Sequence, residues 1–165
     1  MDVSAAGKVC LVNTVEENSL VGEWNREWVE KASPDQSVQT YDRVLAINDE
    51  RPVFGKDVLE KLREASGRMT LLMQRPVVSQ ETVMKNSKDD PLGIDYIEGY
   101  GLLLITKIGE GVFQDHNASV PLTNEVKIPS RIVSVNGKRG SGLDLLTWMQ
   151  EAECDFVLEM LLYDV

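Results

Sequence analysis

One histidine, two cysteines and a scatter of carboxylates are all that this chain offers for acid–base, nucleophilic or metal chemistry. His116 stands alone in the short polar segment VFQDHN and reads as a surface residue rather than a ligand or a base. Cys10 and Cys154 form no C-x-x-C pair and have no histidine cluster beside them. Neither a zinc site nor a disulfide framework is indicated, and both read as buried free thiols in a reducing compartment. Asp95, Glu98, Asp115 and Glu125 make no recognisable acid–base pair and read as solvated carboxylates. GKRGSG, 137–142, is glycine-rich and basic and lies between a strand and a helix, where a phosphate could sit. It lacks the P-loop spacing and the Lys-Ser/Thr ending, so it reads as a turn. G-x-S-x-G and H-E-x-x-H are also missing from the sequence. The expectation is a chain with no catalytic residue, no metal site and no cofactor.

The charge balance narrows the partners. A formal net charge of −10 and a pI of about 4.6 disfavour nucleic acid and anionic membrane surfaces, which select clustered Lys and Arg. The longest apolar runs, such as LLLI at 102–105, are too short to span a bilayer. MDVSAAGKVC has the composition of neither a signal peptide nor a transit peptide. Hydrophobic content of 42% is enough for packed cores. The compartment expected is the cytoplasm or an organelle, a plastid included.

The elements that must position any site come in a repeated order. RVLAINDER, from Arg43, recurs as RIVSVNGKR, from Arg131. Around it, VCLVNTV matches GLLLITKI, LVGEWN matches VFQDHN, DVLEKLREA matches LDLLTWMQEA, and MTLLMQ matches FVLEMLLY. The β-rich apolar segments read as strands, and the two segments with apolar residues at helical spacing read as amphipathic helices. Asn48-Asp49 and Asn136-Gly137 supply turn chemistry at the strand ends. A repeat at this spacing predicts two units, 7–78 and 80–165. Ahead of GLLLITKI the second half carries two further strands, TVMKNS and IDYIE, joined by KDDPLG. The first half has few residues before its matching segment and is expected to lack those strands and their loop. Trp24 and Trp28, four apart, could anchor a partner but read as caps on their own core.

These motifs in this order resemble PDZ domains. KDDPLGIDYIE resembles the first strand end, carboxylate-binding loop and second strand, with Pro91-Leu92-Gly93-Ile94 in place of the usual Gly-Leu-Gly-Phe. RIVSVNGKRG resembles the family's strand and turn, and LDLLTWMQEA the helix that walls the peptide groove. The likeness covers 80–163. EWN followed by a Pro-containing loop and RVLAIND is also similar to divergent PDZ-like repeats of protists of the dinoflagellate type.

The resemblance implies an α+β fold, mainly β. Each of the two repeats would be a bent antiparallel sheet or partly open barrel capped by helices. It implies a non-catalytic scaffold or adaptor. A C-terminal peptide would add as a strand, its carboxylate resting on the amides of Leu92, Gly93 and Ile94. Gly142, Leu146 and Met149 would face the groove from the helix. With Gly142 where the family commonly has His, a Ser/Thr preference two residues before the peptide end is not implied; an apolar residue is. The alternative is a structural peripheral subunit of a large photosynthetic or other organellar complex, with a vestigial groove. It is motivated by Asp89 and Asp90 in the loop and by the incomplete first half. Partners are other proteins in both readings, with no nucleic acid and no membrane span.

Overall fold

The computed structural model describes residues 1–6, 9–31, 33–99 and 101–163. The chain divides into two compact units, Met1–Pro76 and Val77–Val165. Both are α+β and mainly β, each built on one open antiparallel sheet. No helix among the described residues is long and apolar enough to cross a membrane.

In the first unit the strands are β1 (Asp2–Ala6), β2 (Val9–Thr14), β3 (Arg43–Ile47) and β4 (Leu71–Gln74), hydrogen-bonded in that order. Helix α1 (Leu20–Glu30) follows β2, and α2 (Gly55–Glu64) lies between β3 and β4 in sequence. Ser19 starts α1 by accepting the Gly22 N–H at 3.1 Å. Gly22 is required there, because a Cβ would come within 2.3 Å of the Glu16 carbonyl. The core is small: Cys10, Val44, Ile47 and Val58, with Leu59, Leu62 and Met73 packed on it. Asp42, fully buried, takes both Arg75 Nε and Nη2 at 3.0 Å. The sequence reading assigned no strand before Val9, whereas Asp2–Ala6 pair antiparallel with Val9–Thr14. Helix α1 runs for eleven residues, beyond the LVGEWN segment that the repeat marks.

The second unit has strands β5 (Val77–Val83), β6 (Ile94–Gly99), β7 (Leu102–Ile108), β8 (Ser130–Val135) and β9 (Phe156–Leu162). Their order in the sheet is β5-β9-β8-β7-β6, which leaves β6 on an edge. Helix α3 (Val112–Ser119) follows β7, and α4 (Gly142–Glu151) follows β8. Strand β8 is central and buried along its whole length, its Ser130, Arg131 and Ser134 included. Its Ile132 and Val135 join Leu103, Ile105, Phe113, Phe156 and Leu158 in one core. Burying each such side chain stabilises by about 1.5–3 kcal/mol. The strand expected at 82–87 is displaced: it spans Val77–Val83, because this stretch pairs residue for residue with β9, from Val77↔Leu162 to Val83↔Phe156. VVSQ is thus strand and not connector.

The two units share detail below the level of element order. Asn48 and Asn136 both have positive φ, 49° and 51°. Each exchanges hydrogen bonds with the strand opposite: Asn48 Oδ1 accepts the Thr70 N–H at 2.9 Å, and Asn136 Oδ1 accepts the Val157 N–H at 2.8 Å.

Candidate functional site

The loop from Ser87 to Gly93 is held by hydrogen bonds of the chain itself. Asp90 closes its first turn: its carboxylate accepts the Ser87 N–H at 2.9 Å and its own N–H donates to Ser87 O at 3.1 Å. The next three carbonyls all point to one side. Pro91 O accepts from Val112 N at 2.9 Å, Leu92 O from Phe113 N at 3.2 Å and Gly93 O from Gly109 N at 2.7 Å. The loop thereby satisfies two of the free N–H groups at the start of α3. With the carbonyls held that way, the Leu92 and Gly93 N–H groups face elsewhere, and no acceptor among the described residues takes them. The Ile94 N–H points away from β7 as well, by the alternation of an antiparallel ladder whose neighbouring bond is Gly109 to Gly93. Consecutive outward N–H groups make an anion-binding concavity.

Glycine is obligatory at two points of this loop. Gly93 has φ +73°, and a Cβ there would lie 2.5 Å from Glu110 O. Gly111, at φ +142°, faces it, and a Cβ would lie 2.4 Å from Pro91 O. The second glycine was not singled out from sequence; only the packing of the two segments reveals it.

Beyond the loop, β6 runs as an edge with its outer backbone groups unpaired by any other strand of its sheet. Tyr96 and Ile97 on it are 43% and 52% exposed. An apolar edge strand of this kind is a template for another chain. Helix α4 lies alongside β6 and β7. Its start is capped by Ser141, whose hydroxyl accepts the Asp144 N–H at 3.1 Å, while Asp144 takes the Ser141 N–H at 2.9 Å and hydroxyl at 2.7 Å. Those bonds, the side-chain one first, hold the Asp144 carboxyl below the usual carboxylate range.

The expected site residues fall in three places. Leu92, Gly93 and Ile94 form the loop and the first step of β6, with Leu92 buried and Ile94 packed on the core. Gly142 begins α4 and is buried; a Cβ on it would come within 2.5 Å of Glu98 Cγ. Leu146 and Met149 lie on the same helix but are 7% and 0% exposed, as members of the core. Glu98 is exposed, as a solvated carboxylate should be, and its Oε1 also accepts the Leu143 N–H at 3.2 Å, tying β6 to α4.

Three further residues sit otherwise than their types suggested. His116 is 2% exposed on α3, not a surface residue. Its Nε2 lies 3.3 Å from Asn124 O, and its Nδ1 has no partner. Cys154 is exposed, and only Cys10 is buried. Lys85, at 3% exposure, donates from Nζ to Met149 O and Gln150 O at 3.1 and 2.8 Å. It neutralises the carbonyl end of α4. No sequence pattern marks such a cap, because its partners are backbone groups far along the chain. Among the described residues, no group of three or more His, Cys, Asp or Glu side chains comes together that could hold a metal.

No family model matches the chain, and no curated protein matches it. Among solved structures it is similar to one described as INAD PDZ45 in complex with NG2 peptide. That likeness covers 100% of this chain and 84% of the other, at 16% identity and a TM-score of 0.38.

Proposed function

We propose that the chain is a non-catalytic scaffold built of two PDZ-like repeats, the first incomplete, and that the second repeat captures the C-terminus of another protein. The observation that carries this is the loop of Leu92 and Gly93. Its carbonyls accept from Phe113 in α3 and from Gly109 just before it, and its N–H groups are left without acceptors among the described residues at the head of an edge strand. A terminal carboxylate would take those N–H groups, and the extended residues before it would pair with the outer side of β6. Such a site needs no acid, base or metal. The matched Asn48 and Asn136 turns support the repeat reading.

The acidic loop opposes an incoming carboxylate less than its composition suggests. Asp90 is turned to the Ser87 N–H, which leaves Asp89 as the exposed acid, and an exposed charge is strongly screened.

A pull-down from native extract at low and high salt tests the reading, using the full chain and a Gly93→Val variant. Varied partners sharing apolar C-termini, lost with the variant, are expected. A single fixed set of large-complex subunits, indifferent to the variant, would instead mean a structural subunit whose groove is unused.

A further inference from the structure

Glu98 stands where a bound peptide must pass. It is on β6, the strand the peptide would pair with, and its side chain crosses to the start of α4. There it lies over Gly142, the one residue of the helix without a side chain to dispute the space. We infer that Glu98 is the specificity-determining residue of this groove and that it selects a peptide with Lys or Arg at the position facing Gly142. The inference rests on the reading of the groove as a site for C-termini.

The register follows from element geometry. A strand rises about 3.4 Å per residue and a helix about 1.5 Å. Glu98 lies four residues beyond Ile94 on β6, so an antiparallel peptide whose carboxylate rests at Gly93 brings the residues about two to four before its end toward Glu98. The residue facing Gly142 is therefore two to four before the peptide end. An apolar side chain there would meet a carboxylate with nothing to neutralise it. A cationic side chain would draw Glu98 off the Leu143 N–H and pair with it. That exchange leaves the helix start intact, because Ser141 and Asp144 cap it reciprocally without Glu98. Asp89 is exposed in the loop and the chain carries a net charge of −10, which favour the same sign, while Asp95 is paired with Lys107 at 3.9 Å. Gly142 leaves room for the Glu98 side chain, which a larger residue would push away: a Cβ there would lie 2.5 Å from Glu98 Cγ.

The test measures fluorescence anisotropy of short synthetic peptides ending in Val. Each carries a single Arg, Ala or Glu two, three or four residues before the end, and each is made with a free carboxylate and as an amide. At one of these positions Arg should bind the wild-type protein roughly three- to fivefold more tightly than Ala, and Glu more weakly than Ala, with the spread shrinking at high salt. Glu98→Gln should erase that order while keeping the helical circular dichroism. If free-acid peptides bind with no preference for Arg at any position, or the preference survives Glu98→Gln, this inference is overturned and the groove reading stands. If amides bind as well as acids, or no peptide binds, the groove reading itself falls and takes this inference with it.

Discussion

Asn117 holds the backbone of Val126 from both sides: its Nδ2 donates to Val126 O at 3.0 Å and its Oδ1 accepts the Val126 N–H at 2.9 Å. In the first unit Asn25 grips Val38 the same way, with both bonds at 2.7 Å. In each case an asparagine on the first helix pins the loop that feeds the central strand. A primary carboxamide is the one neutral group that can donate and accept on adjacent atoms like this. Replacing Asn117 by Ala should cost unit 2 about 1–2 kcal/mol, since two half-buried backbone groups lose their partners. Asn117→Asp should cost at least as much, since a carboxylate oxygen would then face the Val126 carbonyl where Nδ2 donates. Urea unfolding checks both; a shift below a few tenths of a kcal/mol would show that the clamp does not hold the loop.

Lys85 should matter to α4 rather than to charge balance. Lys85→Met keeps the apolar stem but leaves Met149 O and Gln150 O without their charged donor. A loss of about 1–3 kcal/mol is expected, with faster amide exchange in the last turn of α4. Exchange unchanged there would contradict the cap.

Cysteine reactivity should differ sharply between the units. Burial pushes the Cys10 thiol from the ordinary 9.0 up to about 11, while Cys154 is exposed. In the folded protein iodoacetamide should label Cys154 alone, and Cys10 only after denaturation. The folded Cys10 thiol keeps its proton to higher pH than the unfolded one. Its contribution to stability is therefore complete below pH 9 and declines as the pH rises toward 11. Prompt labelling of Cys10 in native buffer would disprove its burial.

The helix cap at Ser141 carries its own pH signature. The folded Asp144 carboxyl has a lowered pKa, so its contribution is present above the unfolded value and lost as the pH falls through the folded one. Ser141→Ala removes the side-chain bond, the larger cause, and should move the Asp144 titration up toward the ordinary range by carbon-13 NMR. An unmoved titration would mean the bond is absent in solution.

The element order was legible because it rests on local patterns. Alternating or continuous apolar runs gave β2, β3, β7, β8 and β9, and helical spacing gave α2 and α4. What escaped depends on partners distant in sequence. The stretch Val77–Gln80 looks like a connector until β9 pairs with it. Asp2–Ala6 have no strand pattern of their own and are fixed by Val9–Thr14. His116 was misjudged because its polar neighbours in sequence are not its neighbours in space. At the candidate site, Leu92, Gly93 and Ile94 stand out only through the resemblance of their segment to a carboxylate-binding loop. Glu98 and Gly111 do not stand out in that way, since what marks them is a contact from β6 to α4 and the near touch of two loops.

The most direct test of the central claim is a nitrogen-15 NMR titration of the wild-type protein with a Val-terminated peptide, as free acid and as amide. The amide resonances of Leu92, Gly93 and Ile94 should shift downfield and saturate with the acid, and stay still with the amide. Resonances that do not move with either peptide, or move equally with both, would show that this loop does not receive a carboxylate.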